Sequence, residues 1–229
     1  MLFRSQYRQE DEDYLAVLNA IRSNSVGEQT LQHLRKRYRA RVDGIAQPAK
    51  LYTHNADVDA INQRELERIP DDSMQFDMKY IGPEALVESL KKGCLAPEFL
   101  QVKRGAQVMF VRNNFDRGYV NGTMGVVQDF APDGYPVVQT RKDSIVATPE
   151  EWKIEENGKV RAQVMQVPLR LAWAITVHKS QGMSLDAAEI DLSKSFERGM
   201  GYVALSRVRS LGGVRLRSEE HTSELQSPC

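Results

Sequence analysis

Near the start of the chain, apolar residues recur at helical spacing. Tyr14, Leu15, Leu18 and Ile21 predict an amphipathic helix over 10–23, and Leu31, Leu34 and Tyr38 predict a second one. The segment 24–27, Asn-Ser-Val-Gly, reads as the link between them. Ala49–Tyr52 has the texture of a short strand. Asn55 then precedes Val58, Ile61, Leu66 and Ile69, the apolar face of a helix over 56–69 that Asn55 is well suited to cap. From residue 102 the pattern changes. Segments rich in Val, Phe and Thr, at 107–112, 124–130, 135–140, 144–148 and 160–167, predict short strands cut by turns. Asn121-Gly122 and Asp133-Gly134 are hairpin signals among them. From 168 the chain reads strand, helix, strand, helix over 169–175, 178–184, 187–192 and 199–208, the alternation of an α/β sheet. The simplest architecture is one α/β domain interrupted by a small β-barrel.

Composition narrows the function classes. The chain has 229 residues, 31 Lys plus Arg against 31 Asp plus Glu, and a formal net charge of +0. No global positive field draws it to nucleic acid, so any such binding needs a local groove. No apolar run is long enough to span a membrane. The N-terminal residues are too polar for a signal peptide. Cys94 and Cys229 have no metal-type spacing, which fits a reduced, intracellular setting.

Chemistry concentrates in 175–207. Ile175-Thr176-Val177-His178-Lys179-Ser180-Gln181-Gly182 carries an apolar strand into a polar turn. A hydroxyl, an imidazole and an ammonium at a strand end suit phosphate, and a glycine lets backbone approach a ligand. Further on, Tyr202-Val203-Ala204-Leu205-Ser206-Arg207 brings a single arginine to the end of an apolar helix. An arginine so placed suits charge developing on a transferred phosphoryl group. A surface ion pair and an ordinary turn are the plainer readings of the same residues. Gly-x-x-x-x-Gly-Lys-Ser/Thr is absent: the only Gly-Lys pair, Gly158-Lys159, has Lys153 five residues before it and Val160 after it. The acidic run Glu10–Asp13 follows no apolar strand and reads as a solvated first helical turn, not a metal-binding pair.

The order of these motifs resembles superfamily 1 DNA helicases, especially the RecD-like and petite-integration-frequency (PIF) types. Gly105–Phe110 and Val120–Gly125 resemble the opening strands of the SH3-like barrel in the same helicases. The resemblance implies a RecA-like α/β fold of the P-loop NTPase type without the P-loop itself. Residues 1–101 would begin the second motor domain, 102–167 would be an SH3-like insertion, and 168–216 would complete the domain. It implies phosphate-contacting arginines at Arg8, in Tyr7-Arg8, and at Arg207. It places Gln181 and Gly182 toward ATP, and Asn55, Thr176, His178 and Lys179 on single-stranded DNA. Asn55 can serve as helix cap and DNA contact together.

Arg112, Arg117 and Lys103 stand open between a phosphate-facing edge and ordinary solvated charge, while Trp173 is expected in the core. The implied protein is an ATP-driven helicase moving 5′ to 3′, with ATP and Mg2+ held only in the intact enzyme. Its implied partners are single-stranded DNA and an N-terminal RecA-like domain that this chain lacks. The expected location is cytoplasmic in a bacterium, or nuclear or mitochondrial in a eukaryote. The other class consistent with the residues is a non-catalytic nucleic-acid-binding module. Residues 217–229 hold one sizeable aliphatic residue, Leu225, and resemble translated sequencing-adapter sequence, so they are expected to take no part in the fold.

Overall fold

A computed structural model describes residues 11–42, 47–52, 58–180, 182–191 and 199–217. In chain order the elements are α1 (Glu12–Arg22), α2 (Glu28–Arg35), β1 (Ala49–Tyr52), α3 (Val58–Glu67), β2 (Met74–Asp77), β3 (Lys79–Ile81), α4 (Glu84–Gly93), β4 (Phe99–Val102) and β5 (Gln107–Phe110). There follow β6 (Met124–Phe130), β7 (Pro136–Thr140), β8 (Ser144–Val146), β9 (Glu150–Glu156), β10 (Lys159–Gln166), β11 (Leu169–Leu171), β12 (Ala174–Thr176), β13 (Ala188–Ile190), α5 (Met200–Leu205) and β14 (Val214–Leu216). The fold is mixed α/β. It divides into two compact units, one from 1–62 with 173–229 and one from 63–172. No helix among the described residues is long and apolar enough to cross a membrane.

The first unit is built on a four-stranded sheet in the order β12-β1-β13-β14. Every pairing in it is parallel. Ala49, Leu51, Ala174, Ile175, Ala188, Ile190 and Val214 are buried, as expected for strands covered on both faces. Tyr14, Val17, Leu18 and Ile21 form the buried stripe of α1. The periodicity pointed to Leu15 rather than Val17; Leu15 is only half-buried. Asp11 caps α1, its Oδ1 accepting from the Tyr14 N–H at 3.0 Å. In α2, Leu34 is buried, but Tyr38 lies beyond the helix and forms a parallel bridge with Leu216.

The second unit holds a five-stranded antiparallel sheet, order β11-β5-β6-β7-β8, a three-stranded sheet, β3-β10-β9, and the pair β2-β4. Asp133-Gly134 turns β6 into β7 as expected, with Gly134 at φ 83°. Phe110 and Tyr119 stack at 4.1 Å inside this unit. The strands expected within 102–167 divide between two sheets: β5–β8 lie in the larger, and β10 pairs on one side with β3 and on the other with β9, a strand the pattern did not predict. The unit also takes in 63–101, more than the pattern alone suggested.

Two expectations near the end of the chain change. The strand expected over 169–175 is two strands. Leu169–Leu171 pairs with β5, and Ala174–Thr176 pairs with β1. The helix expected over 178–184 is not formed, and the described residues there are a turn. Apolar texture marks a buried strand but does not name its partner. Local hydrogen bonds, described below, win over helix propensity in the turn.

Candidate nucleic-acid and nucleotide interface

β12 ends at Thr176, level with Tyr52 at the end of β1. The two strands are parallel neighbours, so both leave the sheet at its carboxyl edge, where α/β sheets place ligands. The turn after β12 is held by its own polar groups. Thr176 Oγ1 accepts from the Lys179 N–H at 3.1 Å, and the Thr176 carbonyl accepts from the Ser180 N–H at 3.0 Å. Ser180, fully buried, donates its hydroxyl to the Val177 carbonyl at 2.7 Å. Gly182 closes the turn with φ 81°. The left-handed backbone, not crowding, calls for glycine there, since an added Cβ would meet nothing within 4 Å.

This geometry sorts the expected residues. His178 and Lys179 are exposed on the turn, whereas Thr176 is buried and spends its lone pairs shaping it. Lys179 also lies 3.7 Å from Asp59 in the first turn of α3. That pair is exposed and holds the turn only weakly. Gln181, Asn55 and Arg8 lie outside the described residues.

Arg207 follows α5, half-buried. Its Nε donates to the Val203 carbonyl and its Nη2 to Ser206 Oγ, both at 3.0 Å. The guanidinium therefore rests on the last turn of its own helix, where carbonyl dipoles favour a cation. The backbone around it is fixed from two sides. Leu185, just past the turn, donates its N–H to the Arg207 carbonyl at 2.8 Å and accepts from the Arg209 N–H at 3.0 Å. The buried Tyr14 hydroxyl donates to the Leu205 carbonyl at 2.5 Å, and Asp11 Oδ2 accepts from the Leu211 N–H at 2.9 Å. The turn that carries His178 and the helix end that carries Arg207 are thus parts of one hydrogen-bonded frame. Asp11, at the other end of that frame, is three residues from Arg8 in the chain. The acidic run expected to be only solvated has a structural role through this one residue, while Glu12 and Asp13 are exposed.

Asn62 was not legible as a site residue. It is 3% exposed, its Nδ2 donates to the Ala174 carbonyl and its Oδ1 accepts from the Ala174 N–H, each at 2.9 Å. β12 is the edge of its sheet, and this one amide takes the place of a further strand. A signal was present: Val58, Asn62 and Leu66 follow i, i+4, i+8 and are all buried, so a polar residue stands in the middle of an apolar stripe. The periodicity favoured Ile61, which is only half-buried.

In the second unit the three cations left open between a phosphate-facing edge and ordinary charge all have partners within the chain. Lys103 Nζ donates to the Ile69 carbonyl at 2.8 Å. Arg112 lies over the Trp152 ring at 4.9 Å and donates to the Glu151 carbonyl. Arg117 donates to Thr148 Oγ1. A hollow of about 780 Å³ beside Arg112 and Arg117 is lined by these two and Lys153 and also by Glu150, Glu151 and Glu155, so its charges balance. Trp173, expected in the core, is half-buried between β11 and β12. Among the described residues no group of three or more His, Cys, Asp or Glu is placed to hold a metal ion.

Comparison with known proteins bears on these residues together. Residues 85–130 match the family described as DNA helicase Pif1, 2B domain. The ATP-dependent DNA helicase Pif1 of Psychrobacter sp. (strain PRwf-1) is 37% identical over 87% of this chain and 38% of its own length. A crystal structure of Bacteroides sp. Pif1 in complex with ADP-AlF4 superposes with a TM-score of 0.79 at 28% identity, over 96% of this chain and 52% of that one. Bacteroides Pif1 in complex with ADP-AlF3 and single-stranded DNA gives a TM-score of 0.58 at 29% identity, over 97% of this chain and 52% of that one. The chain spans about a third of the length of the first curated relatives it matches. On these matches the chain belongs to the Pif1-type helicases of superfamily 1, as the counterpart of part of such a protein.

Proposed function

We propose that this chain is the second motor half of an ATP-dependent DNA helicase, moving 5′ to 3′ on single-stranded DNA. The first unit is read as the RecA-like domain, and the antiparallel sheet within 102–167 as the SH3-like insertion. One observation carries the reading: the turn bearing His178 and the helix end bearing Arg207 are joined through Leu185, whose N–H and carbonyl both bond the backbone beside Arg207. A motor needs such a connection between its DNA grip and its nucleotide site.

ATP would lie between this unit and a P-loop domain supplied by the longer protein. Arg8 and Arg207 would face the γ-phosphate and offset charge as water displaces ADP from it. Gln181 and Gly182 would border that cleft. Asn55, Thr176, His178 and Lys179 would hold the DNA backbone, with Thr176 acting chiefly by shaping the turn. The described residues do not fit a Mg2+ site. Any magnesium would enter with ATP and the P-loop domain.

The test uses a chain joined to its P-loop domain. Arg207→Ala should lower ATP turnover roughly 10³-fold or more while leaving nucleotide-free DNA affinity nearly intact. Arg8→Ala should behave likewise. His178→Ala should weaken DNA binding or DNA stimulation and spare basal turnover. If Arg207→Ala keeps full turnover but loses DNA affinity, the arginine does not serve ATP. If nucleic acid binds as well with the P-loop domain absent and neither arginine affects turnover, the chain is a binding module instead.

A further inference from the structure

The first unit has a second cationic feature on the same edge of its sheet, outside every motif used above. Arg35-Lys36-Arg37-Tyr38-Arg39-Ala40-Arg41 places five cations in seven residues of a chain whose net charge is +0. Its backbone is fixed. The Leu216 N–H donates to the Arg37 carbonyl at 2.9 Å, and the Arg39 N–H donates to the Leu216 carbonyl at 2.8 Å. Arg37 is consumed in that anchoring, its guanidinium donating to the Val214 carbonyl at 2.8 Å and the Gly212 carbonyl at 2.7 Å. Arg35 pairs with Glu28 at 3.0 Å. Arg39 and Arg41 are exposed and make no ion pair among the described residues. Arg39 lies over the Tyr38 ring at 5.2 Å, with its backbone at φ 46°, a region that non-glycine residues seldom adopt.

Register says where this segment lies. Ile175 pairs with Leu51, Leu51 with Ile190, Ile190 with Leu216, and Leu216 with Tyr38, all parallel. The next residue along each chain forms the carboxyl edge: Thr176, Tyr52, Asp191, Arg217 and Arg39. The His178 turn leaves at one end of this row and Arg39 stands at the other. Four strand spacings of about 4.8 Å separate them, roughly 19 Å. Asp191 lies within the row, but Arg217 beside it is 4.0 Å away and offsets its charge.

We propose that the DNA path does not end at His178 but runs along this carboxyl edge to Arg39 and Arg41, which hold its phosphates at the far side of the sheet. This rests on the reading of His178 as a DNA contact. A single strand suits the site because it is a narrow row of separated cations beside a half-buried ring, matching a flexible backbone with bases free to stack.

The test measures binding of fluorescent dT12 to the chain itself at several low salt concentrations. The variants are Arg39→Asn with Arg41→Gln, and His178→Ala. Asparagine tolerates the left-handed backbone at position 39, and circular dichroism and thermal unfolding confirm that the variants fold. One dT12 should bind per chain. The double variant should bind roughly tenfold more weakly, and its plot of log affinity against log salt should be shallower by about 1.4, near 0.7 for each phosphate no longer held. His178→Ala should weaken the same binding event.

If His178→Ala weakens binding and the double variant does not, the path stops short of Arg39. The cationic edge then serves another occupant, such as an acidic protein surface. If only the double variant weakens binding, the His178 grip is wrong, and the continuous path falls with it. If neither matters, both fail.

Discussion

Asn62 holds Ala174 by both of its backbone polar groups, at 2.9 Å each, and so closes the open edge of the strand that carries Thr176. Both partners are buried, so truncation leaves an N–H and a carbonyl unpaired without water to replace the lost bonds. Asn62→Ala should cost roughly 3 kcal/mol in urea unfolding. Lys179→Ala removes only the exposed pair with Asp59, and its effect on stability should stay below about 1 kcal/mol. Equal losses in the two variants would mean that the amide does not carry the strand edge.

The Tyr14 hydroxyl gives a pH-dependent handle on the frame around Arg207. Burial, and then the nearby charge of Asp11, hold its phenol above the ordinary tyrosine value. The folded chain keeps a proton that the unfolded chain releases near pH 10. This contribution is therefore whole below about pH 10 and is lost as pH rises beyond it. Tyr14→Phe should cost about 1 kcal/mol at neutral pH by removing one of the two hydrogen bonds on the Leu205 carbonyl, which keeps the Val208 N–H at 3.0 Å. It should also flatten the decline in stability above pH 10. Unfolding curves from pH 7 to 11 would show this, and a variant as alkali-sensitive as the parent would contradict it.

What could be read from sequence follows from how far each interaction reaches along the chain. The His178 turn and Arg207 were legible because each motif is continuous, and their chemistry is carried by residue type. The turn's shape was not. Thr176, Ser180 and Gly182 spend their hydrogen bonds and backbone freedom locally, which defeats the helix that the apolar spacing over 178–184 suggests. Leu169–Ile175 read as one strand because burial on both faces looks the same in either sheet. Asn62 was hidden because its partner lies 112 residues away, and Asp11 because its second partner lies 200 away. The cations at 35–41 gained meaning only when Tyr38 was placed beside Leu216.

The sequence of this chain has no phosphate-cradling Gly-x-x-x-x-Gly-Lys-Ser/Thr loop. Taken alone, with Mg2+ and single-stranded DNA present, it should release no phosphate from ATP. A phosphate-release assay at micromolar protein suffices. DNA-stimulated turnover that disappears in Arg207→Ala would show that the chain is a complete motor and overturn the half-motor reading.

Two glycines flanking the frame separate shape from stability. At Gly182 an added Cβ meets open space, but φ is 81°, so alanine strains the backbone alone. Gly182→Ala should cost about 1 kcal/mol and disturb how the turn presents His178. At Gly213 a Cβ would stand 2.2 Å from the Asp186 carbonyl oxygen and 2.9 Å from Val208 Cγ1. The oxygen belongs to backbone just past Leu185, which is itself bonded beside Arg207, so neither side can yield without opening the frame. Gly213→Ala should therefore cost about 3 kcal/mol or more. Urea unfolding and dT12 binding, measured on both variants, should split them: Gly182→Ala loses DNA affinity with most of its stability intact, and Gly213→Ala loses stability first. Unchanged dT12 affinity in Gly182→Ala would show that the left-handed turn is not what presents His178 to DNA.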